Sequence, residues 1–309
     1  MQPSLPTYTP RRPAESLSLS LRGLNGHLLR WGNPGSVTIE RPLLVLLHGW
    51  MDVAASFQFV VDALAVERCV VALDWRGYGG SDGGQVDSYW FPDYLGDLDA
   101  LLRADALGLG ADTAIDLVGH SMGGNVAMLY AGVRPARVRR LINLEGFGLP
   151  ASSPEQAPRR YAQWLDEIAQ PVALRSFANI DGVAQQLRKN NPRLSADKAA
   201  WLAPQWAQLR ADGRWHVQGD PAHKRVNPML YRKDEVLAVW QQIAAPTLWV
   251  EGAQTDLEKW WGDRYPRADF DARLAMVRDL RRERLDDCGH MVHHDQPERL
   301  AALLDAFLA

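Results

Sequence analysis

The chain has 309 residues, 47% of them hydrophobic, and carries 34 Lys and Arg against 37 Asp and Glu, a net charge of −3 with histidine neutral. This balance leaves no basic excess of the kind that binds nucleic acid or an anionic membrane, so we expect neither partner. No run approaches the roughly 18 apolar residues of a membrane span, and the charged, proline-containing N-terminus lacks the apolar segment of a signal peptide, so we expect a cytoplasmic protein. The two cysteines, Cys69 and Cys288, are too few for a disulfide framework or a cysteine zinc site.

The first part of the chain alternates between strand-like and helix-like patterns. Residues 17–33 alternate apolar and polar residues and predict a hairpin turning around Asn25-Gly26. Nearly continuous apolar runs, typical of parallel strands covered on both faces, then occupy residues 42–49, 69–75, 114–121 and 138–146. Helical periodicity separates these runs at residues 56–66, 94–107 and 124–133. The succession predicts an α/β fold with a doubly wound, mostly parallel sheet.

This pattern stops at residue 148 and resumes at residue 245. Residues 148–245 show helix-like stretches and no clear buried strand, whereas strand patterns return at 245–252 and 283–290 before a final amphipathic helix. We therefore predict a core formed by residues 1–147 and 246–309, with residues 148–245 inserted as a helical cap between the sixth and seventh strands. Such an insertion would lie over the carboxyl ends of the strands, where ligands bind in sheets of this type.

The predicted cap contains several tryptophans that could line an apolar pocket. They are Trp164, Trp201, Trp206, Trp215 and Trp240. Packing of the cap onto the sheet is the simpler role, and we favour it for most of them.

The sequence Gly119-His120-Ser121-Met122-Gly123 lies between a predicted strand and a predicted helix. It matches G-x-S-x-G, in which the glycines leave room for a sharp turn that raises the serine hydroxyl above the sheet. A simple glycine turn would have the same composition, but the strand before the motif and the helix after it favour Ser121 as a nucleophile.

A serine nucleophile needs a base, and His290 is our candidate among the eight histidines. It follows Gly289 at the end of the last predicted strand, in a loop that can reach back over the sheet. The chain order of serine, acid and histidine also favours it. For His293 and His294, which are closer to the last helix, capping or packing is the simpler role, and we expect His48 and His120 to shape backbone turns.

Five segments occur in the order and at the spacing of one known family. They read "LLHGW", "LDWRGYGGSD", "GHSMGG", "APTLWVEG" and "GHMVHHDQPE". The chain resembles the α/β-hydrolase family over nearly its whole length. Within the family it is most similar to the serine-hydrolase-like branch, through "HGWMDVAASF" and "LRKNNPRLSADKAAWL".

The resemblance implies further site residues. The backbone N–H groups of Trp50 and Met122 would form the oxyanion hole, although a strand-end turn is a simpler interpretation of the segment around Trp50. The usual position of the acid, three residues after Gly252, holds Thr255, and Asp256 comes one residue late. Some family members carry the acid after the sixth strand, where this chain has Glu145, so Glu145 is favoured and Asp256 is the alternative.

The resemblance also gives Asp74, Arg76 and Asp82 a structural role in the loop after a strand. Family members that act as epoxide hydrolases or haloalkane dehalogenases use Asp where this chain has Ser121. No spacing of His, Cys or carboxylate residues indicates a metal site, and no glycine-rich loop matches a phosphate or dinucleotide site, so we expect no cofactor.

These observations predict a cofactor-independent serine hydrolase that cleaves carboxylic ester or thioester bonds of a small, partly apolar acyl substrate through an acyl-enzyme. Hydrolysis of C–C bonds or perhydrolysis on the same triad is an alternative, and a ligand-binding pseudo-hydrolase is another. The chain would act as a monomer or a homodimer.

Overall fold

The computed structural model describes residues 7–110 and 112–309, so the first six residues of the N-terminal stretch considered above lie outside it. The strands are β1 (Glu15–Leu21), β2 (Leu24–Trp31), β3 (Leu44–Leu47), β4 (Val70–Leu73), β5 (Ile115–His120), β6 (Val138–Leu144), β7 (Ser176–Phe177), β8 (Ala207–Leu209), β9 (Trp215–Val217), β10 (Thr247–Gly252) and β11 (Leu280–Leu285). The helices are α1 (Gln58–Ala63), α2 (Phe91–Leu102), α3 (Met122–Val133), α4 (Ala157–Ile168), α5 (Ile180–Asn190), α6 (Ala196–Trp206), α7 (Lys233–Trp240), α8 (Leu257–Trp261), α9 (Arg267–Leu274), α10 (Val292–Asp295) and α11 (Pro297–Leu308).

Eight strands form a central sheet in the order β1-β2-β4-β3-β5-β6-β10-β11. The first two strands are antiparallel to each other, β2 is antiparallel to β4, and the remaining neighbours are parallel. Because β3 lies between β4 and β5, the winding of the chain changes direction there. The loops after β3 and β5 therefore meet at the edge where ligands bind in open α/β sheets.

Helices cover both faces of the sheet. On one face, residues of α2 and α3 such as Leu98 and Tyr130 pack against the strands, and on the other, residues of α1 and α11 such as Val60 and Leu304 do so. The central strands are buried on both sides, which explains their continuous apolar sequences.

The first hairpin turns three residues earlier than predicted. Leu21 pairs with Leu24, so Arg22 and Gly23 form the two-residue turn, with φ of 52° and 84°. Positive φ at both positions is what a tight hairpin requires. The expected turn, Asn25-Gly26, lies inside β2 instead.

The last strand also differs from its prediction. It covers Leu280–Leu285 rather than 283–290 and pairs only with β10, at the edge of the sheet. An edge strand is partly exposed and here contains four charged residues, so it lacks the apolar run used to predict strands. Its early end leaves His290 in the loop before α10.

The inserted segment, residues 148–245, connects β6 to β10. It contains α4 to α7 and also a small sheet in the order β7-β9-β8, which the sequence did not reveal because each strand has only two or three residues. Its α5 and α6 pack through Val183 and Leu202 against Val53 and Phe59, near the end of β3. Across the described residues, no helix has the length and apolar character needed to cross a membrane.

Candidate active site

Ser121 lies at the sharp turn between β5 and α3. Its φ of 52° and ψ of −115° are strained for a residue with a side chain. A Cβ atom at Gly119 would collide with the backbone of Gly123, and a Cβ at Gly123 would collide with the backbone of Leu47. The glycines are therefore required for the close packing of strand and helix that places the serine at the pocket.

The structure brings His290 and Glu145 to this serine. The Nε2 atom of His290 is 3.0 Å from the Oγ atom of Ser121, and its Nδ1 atom is 3.1 Å from Oε2 of Glu145. Glu145 follows β6, and its other carboxylate oxygen accepts a hydrogen bond of 2.5 Å from the backbone N–H of Gly252. The three groups form a continuous chain of polar contacts.

Asp256, the alternative acid, has a different position. Its Oδ1 atom accepts hydrogen bonds from the backbone N–H groups of Glu258 and Lys259 at the start of α8. Asp256 therefore caps a helix, and Glu145 is the carboxylate that contacts His290.

Burial changes the pKa values of His290 and Glu145. It lowers the pKa of His290 below its ordinary value, because desolvation disfavours the imidazolium, and the Trp260 ring covers the imidazole at 4.6 Å between centroids. Burial raises the pKa of Glu145, while the hydrogen bond from Gly252 opposes that rise. His290 is thus held neutral, as a base must be before it accepts a proton.

Trp50 and Met122 both line the pocket beside Ser121. Within residues 7–110 and 112–309, neither backbone N–H donates to a protein acceptor. The indole of Trp50 is 54% exposed and donates to the carbonyl of His223 in the inserted segment, so its side chain bridges the core and the insertion.

The pocket above Ser121 has a volume of about 640 Å³, a size typical of small-molecule sites. Aromatic side chains dominate its wall: Trp50, Tyr89, Trp90, Phe91, Tyr94, Phe147, Trp260 and Trp261. The inserted segment contributes Gly148, Leu149, His223, Arg225 and Asn227.

The tryptophans that line this pocket differ from those considered in the sequence. Among the described residues, none of the five tryptophans of residues 148–245 lines it. Trp206 packs against the loop after β3 and Trp240 is buried against the central sheet, so packing explains both. Trp260 and Trp261 follow β10 in a stretch whose sequence gave no sign of a pocket.

His223 is buried, although the sequence around it, residues 220–225, is mostly polar. Its ring stacks between Tyr78 and Tyr89, at centroid distances of 3.8 and 3.9 Å. Its Nδ1 atom is 3.2 Å from the hydroxyl of Tyr94. His223 is thus buried by aromatic residues that are distant from it in sequence.

Two residues with sequence-predicted structural roles lie beneath the site. His48 accepts a hydrogen bond from the backbone N–H of Trp75 through Nε2. Asp74 accepts from the backbone N–H groups of Ala54 and Gly80. Both side chains hold loops together.

A second group of polar side chains lies behind the turn that holds Ser121. Asp52, His120 and His293 are all buried, and their potential ligand atoms lie within 4.8 Å of one another. We call them the buried cluster. Sequence spacing gave no sign of it, because the three residues come from three segments that are far apart in the chain.

Comparisons with known proteins show the family to which the chain belongs. The profile of the alpha/beta hydrolase fold family matches residues 42–297. The chain belongs to the α/β-hydrolase family. A serine hydrolase-like protein of Danio rerio is 24% identical over an alignment of 282 positions, which covers 87% of this α/β-hydrolase and 81% of that protein.

Two further similarities are informative. The thioesterase domain from the curacin biosynthetic pathway superimposes with a TM-score of 0.79 at 26% identity, covering 94% of this chain and 99% of that domain. Epoxide hydrolase 3 of Xenopus tropicalis is 33% identical over an alignment of 132 positions, which covers 40% of this chain and 35% of that protein. The predicted fold and the serine-hydrolase-like branch are confirmed, and this α/β-hydrolase is a hydrolytic enzyme.

Proposed function

We propose that the enzyme hydrolyses carboxylic esters or thioesters through an acyl-enzyme on Ser121. The observation that carries this proposal is the chain of contacts from Ser121 Oγ to His290 Nε2, at 3.0 Å, and from His290 Nδ1 to Glu145, at 3.1 Å. Both distances fit a nucleophile, a general base and the acid that orients the base.

In the first half-reaction, Ser121 Oγ attacks the substrate carbonyl carbon while its proton moves to Nε2 of His290. Glu145 holds the resulting imidazolium through Nδ1. The tetrahedral intermediate then collapses, the bond to the leaving oxygen or sulfur breaks, and His290 returns the proton to the leaving group.

In the second half-reaction, water attacks the acyl-serine while His290 accepts one of its protons. Collapse of the second intermediate releases the carboxylic acid, and the proton returns to Ser121. Each cycle consumes one water molecule and restores the enzyme.

The oxyanion would be held by the backbone N–H groups of Trp50 and Met122. Both residues border the pocket at Ser121, and neither N–H has a protein acceptor in the described part of the chain. Loss of one such donor typically slows hydrolysis by about 100-fold or more.

The aromatic wall supports a small, partly apolar acyl group as the substrate. We also propose that residues 148–245 act as a cap, because His223, Arg225 and Asn227 of this segment close one side of the pocket. The structural similarity to a thioesterase domain supports thioesters, as well as esters, as bonds that the enzyme cleaves.

Epoxide hydrolysis is the competing activity within the family. The similarity to epoxide hydrolases covers 40% to 53% of the chain, and the family's epoxide hydrolases use Asp at the position of Ser121. A serine at this position favours acyl transfer instead.

Labelling with a fluorophosphonate tests the nucleophile. We expect one adduct, located by mass spectrometry on the peptide that contains Ser121, and none in Ser121→Ala. The matched control Ser153→Ala, at an exposed serine of the inserted segment, should label like the native enzyme. Absence of labelling at Ser121 in the folded enzyme would overturn the proposal.

Initial rates then identify the bond and the acyl length. The series contains p-nitrophenyl esters of short, medium and long acids, acyl-CoA thioesters and one epoxide. Ester or thioester turnover that disappears in Ser121→Ala supports the proposal. Turnover of the epoxide alone, or labelling without turnover of any ester or thioester, would contradict it.

A further inference from the structure

The buried cluster consists of side chains with the chemistry of metal ligands. His120 ends β5, Asp52 lies in the loop after β3, and His293 lies in α10. The ring centroids of His120 and His293 are 4.4 Å apart, and Nε2 of His293 is 3.6 Å from Oδ2 of Asp52. Two imidazoles and one carboxyl group thus face one point.

Their facing atoms lack partners. Over the described residues, Oδ2 of Asp52, Nδ1 of His120 and both ring nitrogens of His293 are buried without a hydrogen bond. His293 is fully buried, His120 is 2% exposed and Asp52 is 7% exposed. Buried polar atoms without partners are rare, because no hydrogen bond offsets the free energy cost of removing them from water. A bound species that contacts all three would remove this cost.

The hydrogen bond of His120 leaves its Nδ1 atom free for an ion. Its Nε2 lies 2.8 Å from the backbone carbonyl oxygen of His290. Because a carbonyl can only accept, Nε2 carries the proton and Nδ1 of the neutral ring carries a lone pair. A histidine that binds a metal commonly donates its other N–H to a carbonyl in this way.

We propose that Asp52, His120 and His293 form a binding site for one divalent transition-metal ion of the Zn²⁺ type, separate from the active site. Two histidine nitrogens and a carboxylate oxygen form a ligand set typical of zinc, with water completing the coordination. In a tetrahedral site these atoms would be about 3.4 Å apart, so the side chains would close inward by on the order of 1 Å.

Binding at this site would act on the proposed base. The ion would pull on His120, whose N–H holds the carbonyl of His290. Occupation of the buried cluster would therefore shift His290 relative to Ser121 and slow hydrolysis.

The test titrates the tag-free, chelator-treated enzyme with Co²⁺, whose visible absorption reports tetrahedral coordination, and counts bound Zn²⁺ by elemental analysis. His293→Gln and Asp52→Asn each remove one ligand with little change in volume. His216→Gln is the surface control, because His216 pairs with Asp212 at 2.8 Å on the exterior. His290→Gln removes the imidazole of the active site, the other place where an ion could bind.

We expect one Co²⁺ per chain in the native enzyme, His216→Gln and His290→Gln, and at least about tenfold weaker binding in His293→Gln and Asp52→Asn. Zn²⁺ should also raise the melting temperature of the native enzyme, because an ion that binds only the folded state stabilises it. Binding lost in His290→Gln but kept in His293→Gln would overturn the proposal. The absence of tight Co²⁺ binding would also overturn the proposal, because water rather than a metal ion would then occupy the buried cluster.

Crystals of the native enzyme grown with Co²⁺ give a readout that needs no variant. An anomalous peak within bonding distance of His120 and His293 supports the site. A peak only at His290 or on the surface contradicts it.

Discussion

The active site and the buried cluster share two segments of the chain, and each takes a third residue from elsewhere. The end of β5 supplies His120 to the buried cluster, and the turn that follows supplies Ser121 to the active site. The last loop supplies His290 to the active site, and α10 supplies His293 to the buried cluster. In the active site, side chains contact one another and open to a pocket of about 640 Å³. In the buried cluster, the facing atoms are sealed from solvent and, within the described residues, lack hydrogen bonds. His120 and Ser121 are thus adjacent in sequence, but His120 belongs to the buried cluster and Ser121 to the active site.

The largest expected effect is on the nucleophile. Ser121→Ala removes the attacking oxygen and should lower kcat for an ester substrate by about 10⁴-fold or more. Initial rates measure the loss, and the melting temperature confirms that the variant folds. A residual rate within tenfold of the native enzyme would mean that Ser121 is not the nucleophile.

The next comparison separates the two candidate acids. Glu145→Gln should lower kcat by about 10³-fold or more, because the imidazolium loses its partner. Asp256→Asn keeps the helix-capping oxygen and should change kcat by less than about threefold. Equal losses in the two variants would contradict the assignment of Glu145.

Gly123→Ala would disturb the turn that separates the active-site residues from the buried cluster. Its Cβ would collide with the backbone of Leu47 and His48, so we expect a loss of stability of about 1 to 3 kcal/mol and a rate loss of about tenfold or more from displacement of Ser121.

Chemical denaturation and initial rates measure both effects of Gly123→Ala. The control is Gly84→Ala, whose Cβ would meet only a side-chain atom of Val86 at 3.3 Å. Equal stability losses in the two variants would show that the turn tolerates the extra atom.

The smallest expected effect concerns the acid limb of the pH profile. Protonated His290 cannot accept the proton of Ser121, so kcat/KM falls as the pH decreases through the pKa of His290. Because burial lowers that pKa, the native enzyme should keep its activity well below pH 6.5, the approximate pKa of a free histidine.

Trp260→Ala sharpens this expectation because the indole covers the His290 ring. Exposure to water should raise the pKa of His290 towards 6.5 and move the acid limb to higher pH. The matched control Phe91→Ala also enlarges the pocket but leaves His290 covered. An acid limb that moves equally in both variants would mean that Trp260 does not set this pKa.

Some elements were predictable because their local sequence agrees with their environment. The strands that end at Leu47 and His120 are buried on both faces, so their residues are apolar throughout. The hairpin turn was misplaced because Arg22-Gly23 and Asn25-Gly26 both favour a turn, and only cross-strand pairing selects one. The last strand was misplaced because an edge strand does not need apolar residues.

The sequence by itself determined the alternating α/β pattern, the sharp turn around Ser121 and the candidate base His290, because each depends on local composition and chain order. Only the tertiary structure showed that Glu145 rather than Asp256 contacts His290. The two side chains carry the same charge, and their distances from His290 depend on how the strands before them are arranged in the sheet. Tertiary structure alone also built the aromatic pocket and joined Asp52 to His120 and His293. Such groupings depend on contacts between distant segments, which no local pattern records.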